Sequence, residues 1–361
     1  MSIYLHDIPL DEAKSRFQQE LEKAGLYGLL GIEEIPLDEN AAGRVLAESV
    51  WAKISSPHYH ASAMDGFAVR AENTKGATPS NPILLRFEEQ TVYVDTGDPL
   101  PEWANAVIPI ENVEPLDEDS KVSRHPRQPY TIRIRAAVPP WTHVRPMGED
   151  IVATELVLPA GQTLRPVDLG ALAASGHSSL KVARTPRVAI LPTGTELVTI
   201  GTALKTGDII EFNSIVLGGQ VNQWGGKADR YPITKDNYDA ICKRVEEAAQ
   251  DHDLILINAG SSAGAEDFSV SVIEKLGKVL VHGVAVRPGH PVILGMIFRG
   301  DKSQVPIIGI PGYPVSAALT GEIFVEPLLS LWLGREDASQ GLTVTAKITR
   351  KVNSPQGDDD F

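Results

Sequence analysis

The sequence of 361 residues has a single cysteine and no excess of positive charge. Its single cysteine, Cys242, excludes an intrachain disulfide framework and a cysteine-based zinc cluster. Lys and Arg total 33 against 47 Asp and Glu, so the formal charge is −14. This balance argues against a nucleic-acid-binding protein, which would carry a basic face. It leaves room for a small anionic ligand, because such a ligand needs only a few local donors.

Long apolar runs are also missing. No stretch of about 18 apolar residues is present, so no membrane-crossing helix is expected. The first residues, MSIYLHDIPLDEAKSRF, lack the basic and apolar regions of a signal peptide. Hydrophobic residues nevertheless make up 42% of the chain, which excludes a disordered or fibrous protein. We therefore expect a cytoplasmic globular protein of two or three domains, at roughly 150 residues per domain.

The first half of the chain alternates between helical and β-rich patterns. Four apolar residues recur at helical spacing before a glycine stop: Leu10, Ala13, Phe17 and Leu21. Residues 41–50, after Asp38 as a possible N-cap, are a second helix candidate. Residues 51–140 contain short alternating runs between Pro, Gly and Asn/Asp clusters, which predict β-strands. A short helix opened by Pro166 is predicted within 164–176.

From residue 187 onward, apolar strands alternate with helical segments. This pattern predicts an α/β domain with a parallel sheet that is covered on both faces. The predicted division is a helical and linker domain at 1–50 and 141–183, a β-rich insertion at 51–140 and the α/β domain at 184–334. Residues 335–361 predict the start of a truncated C-terminal β domain.

Three loops in the α/β part share one arrangement, in which a glycine follows a strand and precedes a helix. They span residues 192–196, 258–264 and 310–314. In open α/β sheets such loops meet at one edge, where ligands bind. Glycines let backbone N–H groups approach an anion, so the three loops together predict an anion site. Each loop taken alone could equally be an ordinary turn.

Carboxylates stand next to these loops, at Glu196, Asp236 and Asp267. Mg²⁺ favours one or two carboxylates together with substrate phosphates, so this group predicts a magnesium site. The alternatives are helix N-caps at Asp236 and Asp267 and a solvated surface position at Glu196.

The N-terminal part offers weaker signals. Asp65 precedes Gly66, and an Asp-Gly pair is most often a turn. Asp150 could be a ligand or a solvated loop acid. The pair His58 and His60 resembles a metal motif without a third ligand, which favours structural or surface histidines.

Several of these segments together resemble the molybdopterin molybdenumtransferase family, the MoeA proteins and the E domain of gephyrin. The resemblance rests on seven strings, in the family's order, over roughly residues 5–335: SAMDGFAV, DTGDPLPEWANAVIPIE, RPMGEDI, RVAILPTGTELV, NAGSSAGAEDF, VRPGHP and GIPGYPVSA. It implies a molybdopterin-binding α/β domain, an elongated N-terminal part with a β-rich insertion and a C-terminal β-barrel. It also implies a homodimer whose active site lies between the α/β domain of one subunit and the N-terminal part of the other.

The activity implied by the resemblance is insertion of molybdate into adenylylated molybdopterin, with Mg²⁺ and with release of AMP. The implied catalytic acids are Asp65, Asp150, Glu196, Asp236 and Asp267, with Glu196 and Asp267 on the metal. The implied substrate-binding residues are Thr96, Gly194, Gly260, Ser261, Ser262, Gly264, Arg287, His290, Gly312 and Ser316. Expected partners are small anionic substrates, a second copy of the chain and other proteins of molybdenum cofactor biosynthesis, but neither nucleic acid nor a membrane.

The chain departs from the family pattern at two lysine positions. His290 replaces the lysine of the family's PGKP motif, and a second family lysine aligns with Gly283, while Arg287 keeps a positive charge. These losses favour an alternative function, a non-catalytic carrier or sensor of molybdopterin or the finished cofactor. Retention of the five acids favours the enzyme. A molybdopterin adenylyltransferase is a third alternative, although it would not need the N-terminal part with Asp65 and Asp150.

Overall fold

The structure, a computed structural model, describes residues 7–258, 268–335, 345, 347 and 359–361. Within these residues the α-helices are α1 (Leu10–Lys23), α2 (Pro166–Ala174), α3 (Asn213–Gln223), α4 (Tyr238–Asp251), α5 (Phe268–Leu276), α6 (Pro314–Thr320) and α7 (Glu326–Trp332). Strands of the N-terminal part are β1 (Ile32–Pro36), β2 (Val50–Trp51), β3 (Ala61–Ser62), β4 (Gly66–Val69), β5 (Ile83–Arg86), β6 (Thr91–Val94), β7 (Ala106–Pro109), β8 (Val113–Leu116), β9 (Thr131–Ile134), β10 (Val144–Arg145), β11 (Leu156–Leu158) and β12 (Ser179–Ala183).

The remaining strands of the described chain are β13 (Arg187–Pro192), β14 (Leu197–Val198), β15 (Ile209–Ile210), β16 (Lys227–Arg230), β17 (Leu254–Asn258), β18 (Gly277–His282), β19 (Val286–Arg287), β20 (Ile293–Phe298), β21 (Gln304–Ile310) and β22 (Asp359–Asp360). Six of them form one sheet in the order β16-β13-β17-β21-β20-β18. The other pairings are short ladders, of which β1–β12, β2–β11 and β3–β10 are antiparallel.

The large sheet is mixed rather than parallel throughout. β16, β13, β17 and β21 pair in parallel, but β20 runs antiparallel to both of its neighbours, β21 and β18. The expectation of a parallel sheet therefore holds for one side of the sheet only. The sequence pattern does not predict strands at 277–282 and 293–298. The ten residues that join them are too few for the helical crossover that a parallel pair requires, so the two strands pair antiparallel.

Helices cover both faces of this sheet, as the sequence pattern predicts. One apolar cluster joins the sheet to α1, α3 and the segment 314–332, and a second joins it to α4 and α5. α1 contributes Leu10, Ala13, Phe17 and Leu21 to the first cluster. The N-terminal helix therefore packs on the α/β part, although the predicted division places it in the domain of residues 1–50 and 141–183.

The second predicted helix, at 41–50, is wrong. Asp38 does act as a cap, because its carboxylate accepts a hydrogen bond from the N–H of Asn40, but the helix that follows is a single 3₁₀ turn, Glu39–Ala41. Gly43 then adopts φ +81°, which ends helical geometry. Val45 and Leu46 continue as extended, buried chain that bridges to Thr163 and Val182.

The β-rich stretch at 51–140 holds strands where the alternating runs predict them, with β6, β7 and β9 inside the three predicted segments. Two three-stranded sheets, β6-β4-β7 and β5-β9-β8, enclose its core. The helix opened by Pro166 is also present. The domain boundaries themselves stay a prediction, and the predicted C-terminal β domain at 335–361 lies mostly outside the described residues.

α6, a π-helical turn (Gly321–Val325) and α7 follow one another without a break over Pro314–Trp332. By length and composition this segment could cross a membrane, contrary to the expectation from the sequence. It is, however, 61% buried inside the protein, where Phe324, Leu329 and Trp332 pack into the core of the sheet. Burial of this kind is what a core helix requires.

Candidate active site

The strands β13, β17 and β21 end side by side, at Pro192, Asn258 and Ile310. Hydrogen bonds join the loop after β13 to the last residue of β17 and to the segment that follows β16. The N–H of Thr193 donates to the carbonyl of Asn258 (2.9 Å), and the N–H of Gly194 donates to the carbonyl of Thr234 (3.0 Å). The carboxyl edge of the sheet therefore brings the first predicted glycine loop to Asn258, where the second begins, and to the segment that leads to Asp236.

Gly194 allows Glu196 to fold back over the first of these loops. A Cβ at Gly194 would lie 3.1 Å from both carboxylate oxygens of Glu196 and 2.9 Å from Cγ of Leu197, and its φ of +156° disfavours other residues. The half-buried carboxylate of Glu196 therefore lies directly against the backbone of Gly194, beside the position that a Cβ at residue 194 would take.

Asp236 is not the cap of α4, because Asn237 has that role and accepts from the N–H of Ala240 at 2.9 Å. The carboxylate of Asp236 instead accepts from the N–H of Thr195 (3.0 Å), and the N–H of Asp236 donates to the hydroxyl of Thr195 (3.3 Å). The helix-cap alternative for this residue is therefore wrong. Glu196 and Asp236 both lie at the loop after β13.

Two buried asparagines connect the loops of this edge, and neither is among the predicted site residues, although Asn258 begins the second predicted loop. Asn258, the last residue of β17, donates from Nδ2 to the carbonyls of Ile310 (3.3 Å) and Pro311 (3.1 Å). Asn213, the first residue of α3, donates from Nδ2 to Oδ1 of Asn258 (3.2 Å) and to the carbonyl of Gly312 (2.8 Å). The polar end of the apolar run LILIN is the signal that could have drawn attention to Asn258.

Ser316 lies in the first turn of α6, which Pro314 opens, and it is 7% exposed. Its carbonyl accepts from the hydroxyl of Thr320 (2.8 Å). With Gly312 two residues before α6, the third predicted glycine loop also leads into a helix at this edge.

The loop between β18 and β20 reaches the same edge, because Ile293 at the start of β20 pairs with Gly309 near the end of β21. This loop carries Arg287 and His290, and Gly283 takes a left-handed φ of +98°. The imidazole Nε2 of His290 lies 3.1 Å from a carboxylate oxygen of Asp7. The N-terminal segment holds Asp7 there, since Ile8 bridges to Val284.

Several predicted site residues lie outside the residues that the structure describes. They are Asp267, Gly260, Ser261, Ser262 and Gly264. Among the described residues, no three His, Cys, Asp or Glu side chains converge into a group that could hold a metal ion. The assignment of Glu196 and Asp267 to a metal therefore stays a prediction.

Asp65 is anchored by Thr96, another predicted site residue. The hydroxyl and the backbone N–H of Thr96 both donate to Oδ1 of Asp65 at 2.7 Å. These two hydrogen bonds, the hydroxyl's first, lower the pKa of the Asp65 carboxyl despite a small opposing effect of burial. The Asp-Gly turn expected here is wrong, because Gly66 is the first residue of β4 and pairs with both β6 and β7.

Asp150 accepts from Nη2 of Arg145 (2.9 Å), and Glu149 accepts from Nε of the same guanidinium (2.7 Å). The two acids raise the pKa of Arg145, Glu149 having the larger effect. Asp65 and Asp150 lie beyond opposite ends of the β3–β10 ladder, and all these contacts stay within the N-terminal part. Nearby, Nδ1 of His60 accepts from the N–H of Met147 (2.9 Å), which is a structural role.

Two family models match the chain. The MoeA N-terminal region (domain I and II) matches residues 8–176, and a probable molybdopterin-binding domain matches residues 189–330. Molybdopterin molybdenumtransferase 2 of Mycobacterium tuberculosis is 34% identical over 351 residues, which cover 91% of this chain and 81% of the relative. Molybdopterin molybdenumtransferase of Haemophilus influenzae is 29% identical, with 98% and 85% covered.

The crystal structure of a molybdopterin biosynthesis MoeA protein from Pyrococcus horikoshii superimposes with a TM-score of 0.75 at 32% identity. The match covers 91% of this chain and 81% of that one. Agreement of sequence, family models and fold over most of the chain shows that it belongs to the molybdopterin molybdenumtransferase (MoeA) family of transferases.

Proposed function

We propose that this protein inserts molybdate into adenylylated molybdopterin and releases AMP, as a step of molybdenum cofactor biosynthesis. The observation that carries the proposal is the convergence of Glu196 and Asp236 on one glycine loop at the carboxyl edge of the sheet. Ligands of open α/β sheets bind at this edge. Glu196 and Asp236 therefore lie where an anionic substrate would bind together with a cation.

The substrate-binding role falls to the loops around these acids. The N–H of Gly194 already donates to Thr234 and its backbone lies against the carboxylate of Glu196, so phosphate oxygens would be bound by the loop of Gly312, which leads into α6, and by the hydroxyl of Ser316 in the first turn of that helix. Arg287 adds a permanent positive charge. The predicted residues Gly260, Ser261, Ser262 and Gly264 would complete the same edge from the loop after β17.

The donor chemistry of the site fits Mg²⁺. Magnesium needs only one or two carboxylates when phosphates and water supply its other ligands, so the lack of a three-acid group among the described residues does not conflict with it. Glu196 would hold the ion together with Asp267. When bound, the ion would neutralise the phosphoanhydride and its leaving AMP.

A homodimer with two-fold symmetry is part of the proposal. The contacts of Asp65 and Asp150 stay in the N-terminal part of their own chain, whereas Glu196 and Asp236 lie on the sheet. A closed dimer would bring each pair to the other subunit's site. A mixture of inactive Asp65→Asn and inactive Asp236→Asn proteins should then recover about a quarter of the activity, because half of the dimers are hybrids with one intact site in two. No recovery after verified subunit exchange contradicts a shared site.

The test of the activity is incubation with adenylylated molybdopterin, molybdate and Mg²⁺, followed by measurement of AMP and of active cofactor. Asp236→Asn keeps an oxygen that can accept from Thr195 but removes the charge, so AMP release should fall at least about tenfold. Asp239→Asn is the matched control and should keep full activity. Asp239 is exposed in the first turn of α4, the helix that follows Asp236. Full activity of Asp236→Asn, or of the unmodified protein in excess EDTA, contradicts the proposed site.

One observation favours the carrier alternative. His290 already faces the carboxylate of Asp7, and Gly283 has no side chain, so neither family lysine has a free cationic replacement at its own position. A carrier would bind molybdopterin but release no AMP in the same assay. A molybdopterin adenylyltransferase would instead consume ATP with molybdopterin. A cytoplasmic location and further partners among the biosynthetic proteins stay predictions.

A further inference from the structure

The carboxyl edge of the sheet contains a polar group that the proposed function has not used. Asn213 and Asn258 are 7% and 3% exposed, and they lie between the starts of α3 and of the loop after β21. Buried amides normally satisfy all of their hydrogen-bonding atoms. Here one atom, Oδ1 of Asn213, is buried without a hydrogen-bond partner.

The orientation of both amides follows from their neighbours. Nδ2 of Asn258 must point at the carbonyls of Ile310 and Pro311, because a carbonyl can only accept. Oδ1 of Asn258 then faces Asn213, whose Nδ2 donates to it and to the carbonyl of Gly312. Rotating the Asn213 amide would set its oxygen against two acceptors, so the unpaired atom is an oxygen and it needs a donor.

The adjoining helix end does not supply that donor. The N–H of Ser214 donates to the carboxylate of Glu211 (2.8 Å), and the N–H groups of Ile215 and Val216 donate to the carbonyl of Phe212 (3.0 and 3.2 Å). These three N–H groups are therefore already used. The start of α3 offers the Oδ1 acceptor of Asn213 and not the free N–H groups that would bind a phosphate. A phosphate oxygen is a poor neighbour for the amide oxygen, since both accept.

We propose that Asn213 is a specificity-determining residue whose Oδ1 accepts a hydrogen bond from the amino group of a heterocyclic ring in the bound substrate. The inference rests on the proposed function, since adenylylated molybdopterin carries such amino groups on its pterin and on its adenine. The oxygen has almost no accessible surface, so binding of the ring would require the chain around Asn213 to move. Leaving a buried acceptor unpaired is costly, and a ligand that brings a donor regains that free energy.

The experiment measures binding of molybdopterin and of AMP, separately, to the unmodified protein, to Asn213→Ala and to Asn258→Ala. Asn258 is the matched control, because it is equally buried but has no unpaired atom. Asn213→Ala should weaken one ligand about 5- to 100-fold more than the other, and the affected ligand identifies the ring. Asn258→Ala should lower the melting temperature and weaken both ligands to a similar degree.

Equal weakening of both ligands by Asn213→Ala, or no weakening, overturns the inference, because the residue then has only a structural role. Binding of neither ligand to the unmodified protein overturns the proposed function itself. If Asn213→Ala does not fold, the unmodified protein is tested with AMP against IMP and with pterin against lumazine, in which an oxo group replaces the amino group. A preference of at least about fivefold for the amino compound in one pair supports the inference, and equal affinity in both pairs overturns it.

Discussion

Substitution of Gly66 by alanine tests how Asp65 is positioned. Gly66 opens β4, where the backbone of β7 approaches so closely that a Cβ would lie 2.2 Å from the carbonyl oxygen of Ile108 and 2.9 Å from Cα of Pro109. Real Cβ contacts stay beyond 3.0 Å, so β7 must withdraw from β4. Overpacking of this kind costs about 1–3 kcal/mol or more, because both strands are buried and cannot shift alone.

The Gly66→Ala protein should therefore melt several degrees lower, at about 2–4 °C per kcal/mol. It should also lose AMP release, because the N–H of Ile110 donates to the carbonyl of Asp65 and the shift of β7 moves that anchor. The control is Gly170→Ala in α2, where a Cβ meets open space and alanine favours the helix by roughly 0.5–1 kcal/mol. Both variants are measured by calorimetry. If Gly66→Ala melts no lower than the unmodified protein, the close approach of β7 does not restrict position 66 to glycine.

Three further predictions concern single contacts. Thr96→Val removes the hydroxyl that donates to Asp65, so the pKa of that carboxyl should rise toward its ordinary value. Thr96→Ser keeps a hydroxyl and should leave the pKa low, and an NMR titration of the carboxyl measures both variants. Asp7→Ala removes the carboxylate that faces His290. Because a partly exposed pair is worth about 0.2–1 kcal/mol, AMP should then bind roughly 1.5- to 5-fold more tightly by calorimetry; an unchanged affinity would mean that His290 does not face the substrate. Asp168→Ala removes the carboxylate that accepts from the backbone of Arg165 at the start of α2, at a cost of about 0.5–2 kcal/mol. Because Arg165 lowers the pKa of Asp168, this stabilisation is present above the unfolded carboxyl's pKa, and the difference from the unmodified protein in denaturant melts should vanish as the pH falls through the folded pKa.

Local patterns predicted the elements that depend on local rules. The helical spacing of Leu10 to Leu21 gave α1, and Pro166 opened α2. The alternating runs of the insertion became β6, β7 and β9. In each of these elements the residues that face the core recur with the period of a helix or of a strand. A short stretch of sequence is enough to show that period.

The failures fall where a distant partner overrides the local pattern. Residues 41–50 have a helical composition, but Val45 and Leu46 are buried in extended chain that bridges to Thr163 and Val182. Asp65 and Gly66 have the composition of a turn, yet the missing Cβ serves the approach of β7. Propensities are weak compared with burial in a core, so tertiary contacts decide such segments.

The sequence by itself determined the family, the alternation of strands and helices in the second half, and the acids and glycine loops that the site would use. Only the tertiary structure decided that β20 runs antiparallel, that α1 packs on the large sheet, that Asp236 joins the loop of Glu196, and that Asn213 carries an unpaired oxygen at that edge. The physical reason is that motifs and periodicity record what each segment buries. Strand direction and the partners of a polar atom depend instead on segments far apart in the chain, which meet only when the sheet order is set.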